Sequence, residues 1–301
     1  MTSRFRAIGL IAAATLAIGG LPTATTAAPQ ATTSACSVKL GSVTTGGDHR
    51  MQVMAATSPP TRTLESLMAR DLYPDGQARL SGPMNSRADV AGHDVSGFVV
   101  AGSAMYSHYY VADEPSGEVR RSELVRVGGG WNTFTAIDES YISGRVTTYG
   151  LRADGVLFRW TVQYRDLWEH KTSYPGFAAV KSMALISQTA TYDTFLANTR
   201  GGALYTIHIP TTSPMKPVVK LVRRTTWQVF ESLVAEWCGP YGTLVIGIDK
   251  NGRAGYLYAV GHANGTATVI QSRGRVPVAL NDPIYFHWTN DVDVVRPPFG
   301  E

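Results

Sequence analysis

Apolar and polar residues alternate along most of the chain. Val, Thr, Tyr, Phe and Ile take every second position over short runs, as in Arg145 to Tyr149, Val156 to Val162, Leu204 to Ile209 and Ala267 to Gln271. A period of two sends successive side chains to opposite faces, so each run predicts a strand. Turn dipeptides separate the runs: Asp75-Gly76, Asp154-Gly155, Asn251-Gly252 and Asn264-Gly265. Helical periodicity is scarce. Its best instance is Arg62 to Asp71, where Leu64, Leu67 and Met68 share a helical face, although a surface loop fits the same residues.

The strands repeat. Trp131-Asn132-Thr133-Phe134 is followed by a strand, the turn at Asp154-Gly155, and Val156-Leu157-Phe158. Tyr174-Pro175-Gly176-Phe177 leads in the same way to Ala203-Leu204-Tyr205, and Trp227-Gln228-Val229-Phe230 leads to Tyr256-Leu257-Tyr258. A fainter copy ends at Tyr106. The terminal aromatics Tyr106, Phe158, Tyr205 and Tyr258 lie about 52, 47 and 53 residues apart, the length of a four-stranded propeller blade. One step back from Tyr106 reaches the alternating run Arg50 to Ala55. One step forward from Phe230 reaches the strand Ile284 to Trp288. The expected architecture is therefore an all-β, five-bladed β-propeller closed by N- and C-terminal strands, a device that hides both open edges. An irregular β-sandwich is the competing fold. The recurring aromatics Phe134, Phe177, Phe230, Phe158, Tyr205 and Tyr258 are expected to pack between blades.

The N-terminus has a different pattern. Arg4 and Arg6 precede an uncharged apolar run, Ile8 to Leu21, and then the small residues Thr23 to Ala28. The run is too short to span ~30 Å of hydrocarbon, so 1–28 reads as a cleavable secretory signal and 29–301 as a single propeller domain. Secretion follows, with no membrane insertion of the mature chain. The net charge of +4 includes both signal arginines, which leaves too little positive charge to argue for nucleic acid. Export also permits a disulfide. The two cysteines, Cys36 and Cys238, allow one pairing, which would tie the N-terminal arm to a neighbouring blade; two unpaired thiols are the alternative.

Gly129-Gly130-Trp131-Asn132-Thr133-Phe134, with the Asp-Gly turn and Val156-Leu157-Phe158, resembles the repeat of the tachylectin-2-like lectins. The match is partial at 226–258, where Gln228-Val229 replace Asn-Thr, and weak at 174–205. The resemblance implies a secreted five-bladed propeller that binds N-acetylated amino sugars at one shallow site per blade. It carries over Trp131 and Asn132, with Asp154 as a third residue. Because these repeats have diverged from one another, the implied number of working sites falls.

The residues alone give a parallel case. A saccharide offers an apolar ring face to an aromatic and hydroxyls to amides and carboxylates. Trp131 with Asn132 and Asp138, Trp227 with Glu231, and Trp288 with Asn290 and Asp291 each supply both; simple packing of the indoles is the alternative for each. No nucleophile elbow, zinc motif or phosphate-binding glycine loop is present. No catalytic residue, metal or cofactor is therefore assigned, and the expected partner is a carbohydrate or glycoconjugate. Two other functions stay open. One is a glycan hydrolase using Asp138, Glu231, Glu236 or Asp282 across the central channel. The other is a protein-interaction propeller without sugar sites.

Overall fold

The computed structural model describes residues 36–142, 144–163, 167–290 and 297–301. The expected signal, 1–28, lies outside the described residues, as does Asp291. The described residues fall in one compact unit.

The strands follow in groups. The first three are β1 (Ser37–Val43), β2 (His49–Ala55) and β3 (Thr61–Ala69). The next four are β4 (Ala78–Asp89), β5 (Gly92–Ala101), β6 (Ala104–Asp113) and β7 (Val119–Gly129). Then come β8 (Phe134–Ile142), β9 (Arg145–Arg152), β10 (Leu157–Val162) and β11 (Trp168–Tyr174). They are followed by β12 (Val180–Gln188), β13 (Tyr192–Thr199), β14 (Leu204–Pro210) and β15 (Val218–Arg223). Last are β16 (Ser232–Trp237), β17 (Thr243–Asp249), β18 (Ala254–Val260), β19 (Ile270–Arg275) and β20 (Ile284–Asn290).

The strands β8–β11, β12–β15 and β16–β19 form three separate antiparallel sheets. The group β4–β7 is a fourth antiparallel set. The set β3-β2-β1-β20 takes one strand from the C-terminal end and three from the N-terminal end. A short parallel pairing of Trp288–Asn290 with Met84–Ser86 joins these last two sets into one eight-stranded sheet. The leading strands close a circuit: β4 packs on β8, β8 on β12, β12 on β16, β16 on β20, and β20 pairs with β4. Sheets set face to face around a common axis make a propeller. The core is accordingly divided into clusters, one at each sheet–sheet interface. Val99 and Trp288 lie in one, Val100 and Phe134 in the next, and Tyr149 and Phe195 in a third.

One backbone bond recurs at every such interface. The turn between the second and third strands of a set offers a carbonyl to the residue that follows the fourth strand. Ser103 O accepts from Trp131 N (3.0 Å), Gly155 O from Phe177 N (2.9 Å) and Gly202 O from Trp227 N (3.0 Å). Arg253 O accepts from Leu280 N (3.1 Å), and Gly47 O from Tyr73 N (3.2 Å). All five donors bury their side chains. The turn demands glycine at Gly155, where φ is +85° and an added Cβ would lie 2.0 Å from Ala178 N. The repeat read in the sequence is therefore a repeat of corners; its leading aromatic is the plug at Trp131 and Trp227, while in the copy that begins at Tyr174 the plug is Phe177.

The disulfide Cys36–Cys238 forms, with Cα atoms 5.6 Å apart, just before β1 and just after β16. The helical reading of Arg62 to Asp71 is corrected: Thr61–Ala69 is the strand β3. As the outer strand of its set it buries only Met68 and Ala69, so its apolar residues need no period of two. Register shifts at Val53/Met54 and His49/Arg50 blur the alternation further.

Candidate functional site

A cavity of about 620 Å³ opens along the circuit of leading strands. Its polar wall comes from those strands and from the segments before them. Asp138 and Glu139 lie on β8, Glu236 on β16 and His287 on β20, with Glu231 just ahead of β16.

Each carboxylate has a distinct environment. Asp138 reaches from β8 to β12: its Oδ2 accepts Leu185 N at 2.8 Å and its Oδ1 accepts Glu139 N at 2.8 Å. Burial pushes its pKa up to about 6, and those two N–H groups restrain the rise. Glu139 turns toward β4, where Gly82 leaves room; an added Cβ there would lie 2.8 Å from Glu139 Oε1. That oxygen is shielded from solvent and has no hydrogen-bond partner. Burial, together with the charge of Asp138, pushes Glu139 up to about 8. Glu236 is also buried, which acts to raise its pKa. His287 Nε2, at 3.1 Å, and the Lys39 ammonium, at 3.5 Å, outweigh burial and hold it below the usual range. His287 is raised in turn, because Glu236 outweighs its burial. The cavity thus combines a carboxyl at Glu139 that holds its proton to about pH 8 with an ionised carboxylate at Glu236, hydrogen-bonded to His287. Glu231 is occupied, accepting Lys181 Nζ at 2.9 Å and Lys250 N at 3.0 Å.

The apolar wall includes two aromatics that the sequence reading did not select. Tyr141 is 48% exposed, and Trp237 is partly exposed at the end of β16. The indoles that the sequence did select face elsewhere. Trp131 is a buried corner plug, with its ring 4.2 Å from Phe134 and 5.4 Å from Trp160 between centroids. Trp227 packs 4.9 Å from Tyr258 in the same role. Trp288 is fully buried and donates Nε1 to Ser86 Oγ at 2.8 Å. Protein therefore covers these three rings, and their expected role as sugar platforms is corrected to packing.

Asn132 and Asp154 are exposed and share one corner, because Ala153 N donates to Thr133 O at 2.8 Å. Asp154 is paired with Arg152 and accepts Val156 N, so it also shapes its own turn. Of the four acids weighed for the channel, Asp138, Glu231 and Glu236 line the cavity. Asp282 instead accepts Ser42 Oγ at 2.6 Å, and its N–H donates to the Tyr285 hydroxyl. Among the described residues no three His, Cys, Asp or Glu side chains converge as a metal site.

No protein-family model matches the chain, and no curated protein matches it. Solved structures are similar at low identity. The lectin of Aleuria aurantia, described as a six-bladed β-propeller with a fucose recognition mode, is 13% identical. That alignment covers 81% of this chain and 79% of that one, with a TM-score of 0.46. A mutant of the same lectin in complex with Fucalpha1-6GlcNAc is 14% identical over 81% and 80% of the chains, with a TM-score of 0.43. The BP39L lectin of Burkholderia pseudomallei is 14% identical over 79% and 69%, with a TM-score of 0.40.

Proposed function

We propose that this is a secreted, carbohydrate-binding propeller of five blades, a single domain over 29–301, which takes a saccharide into its axial cavity. The observation that carries the reading is the lining of that cavity. An exposed aromatic, Tyr141, and a partly exposed one, Trp237, stand with carboxylates and an imidazole in a concave space of about 620 Å³, the size class of small-ligand sites. Five recurring corners and five interface cores support the blade count. Secretion rests on the pattern of residues 4–28, and N-acetylated amino sugars are the class that the repeat resemblance favours. The exposed Asn132 and Asp154 leave one blade corner open as a shallow second site.

A glycan array probed with the chain from residue 29 tests this, with Trp237→Ala and Trp131→Ala alongside. Binding lost in the first variant and kept in folded Trp131→Ala supports the axial site. The reverse pattern would return the site to the blade edge, and no binding by any form would end the lectin reading.

Hydrolysis is the second reading, favoured by one observation: Glu139, which burial pushes up to about 8, lines the same cavity as Glu236, which His287 and Lys39 hold below the usual range. Release of reducing ends from the same glycans, abolished by Glu139→Gln, is the expected sign of it.

A further inference from the structure

A second cavity, of about 370 Å³, opens between the sheet β8–β11 and the segment after β14. The face of β9 and β10 that meets the next sheet changes character along its length. Leu151 and Leu157 stand opposite each other, then Tyr149 and Arg159, then Thr147 and Thr161, with Arg145 beyond. The apolar end belongs to the interface core and the polar end lines the cavity.

The charges there do not balance. Arg145 has a counter-charge: its NH1 and NH2 donate to the two oxygens of Asp193 at 2.7 and 2.8 Å. Arg159, only 8% exposed, donates NH1 to Pro210 O at 2.7 Å and NH2 to Thr212 O at 2.9 Å. Carbonyls orient a guanidinium without neutralising it, and among the described residues no carboxylate pairs with Arg159. Among the described residues, one buried negative charge thus serves two guanidinium groups. An unneutralised buried cation is costly. Two buried donors beside it are also idle. Thr172, directly across the ladder from Arg159, has an unpartnered hydroxyl, and Arg145 Nε has no acceptor. The Ser213 hydroxyl closes the far wall. Lys171 also lines the cavity, with its ammonium over the Phe158 ring at 4.8 Å.

We infer that this groove is an anion site that takes the oxyanion of an acidic saccharide, a carboxylate or a sulfate ester. An oxyanion supplies the missing charge and accepts from guanidinium and hydroxyl donors together. The site stands on its own residues; that a saccharide carries the anion rests on the function proposed above.

The experiment has two arms. In the first, sodium sulfate is titrated against sodium chloride at matched ionic strength, following the melting temperature and calorimetric heat. Saturable stabilisation by sulfate alone is expected, because a ligand that binds only the folded state raises its stability. Thr172→Val, close in shape and removing a hydroxyl that has no partner in the protein, should weaken sulfate about tenfold or more, the loss of one hydrogen bond to a charged group. Equal response to both salts, or unchanged sulfate affinity in Thr172→Val, would overturn the site. In the second arm a sulfated polysaccharide is compared with its desulfated form. Preference for the sulfated form, reduced by Thr172→Val, supports the acidic saccharide. Equal binding of the two forms overturns the saccharide carrier and leaves the anion site to the first arm.

Discussion

Asp193 shows how much one side chain can hold. Its carboxylate is fully buried and accepts from Ser140 Oγ, from the Arg145 fork and from the Tyr149 hydroxyl at 2.6 Å. Four donors from two neighbouring strands, β8 and β9, thus meet one acceptor on β13. Asp193→Ala should cost about 3–5 kcal/mol in urea unfolding, because Arg145 would be left half-buried and unpaired. Titration works at the same scale. His49 and His108 are buried against Tyr110 and Tyr73, and burial lowers them to about 3 and about 4, with His108 adding to the shift at His49. An unfolded chain protonates both near pH 6.5. Below that pH it binds more protons than the fold, and stability falls as pH drops. Glu139 has the opposite sign. Raised to about 8, it contributes stability below its unfolded value near 4.5 that is lost as pH rises through 8. Melting temperature should therefore peak in mildly acidic buffer and decline on both sides, and Glu139→Gln should flatten the alkaline side. None of this was readable in advance. Asp138 and Glu139 stand side by side in a strand, and only the closed circuit turns one toward β12 and the other toward β4. The same holds for Trp237: six tryptophans are alike in sequence, and the corners decide which are covered.

At the scale of elements the sequence was more explicit. The dipeptides Asp154-Gly155 and Asn251-Gly252 marked hairpins, because tight turns answer to local chemistry, whereas Asp75-Gly76 falls between two strands that do not pair. The plugging role of Trp131, Phe177 and Trp227 follows from position, as each comes straight after an outermost strand. The strand β3 was missed because pairing with β2, a tertiary effect, overrides a weak local pattern. Corner energetics can be checked directly. Trp227→Ala should lose about 3–5 kcal/mol through the cavity it leaves beneath Phe230 and Tyr258. A variant of Val229, which is exposed beside it, should change stability by less than about 0.5 kcal/mol. Asn198 serves the same corner from below, donating Nδ2 to Trp227 O and Phe230 O at 2.8 Å each.

Across the whole molecule the decisive features are long-range. The Cys36–Cys238 bond spans 202 positions, and closing so long a loop is worth about 5 kcal/mol in the chain-entropy model. Reduction should lower the melting temperature, with the loss seen first as fraying of β1 and β16, whose amide protons would exchange faster. The other long-range feature is the seat of β20 between β1 and β4. It has a consequence in time as well as in space. During synthesis β1, β2 and β3 emerge before the other described strands, yet β20, which covers the inner edge of β1, follows all of them. A chain that has not yet made β20 therefore carries an uncovered edge on β1. A nascent chain of this protein must wait, held apart from its siblings, until β20 arrives.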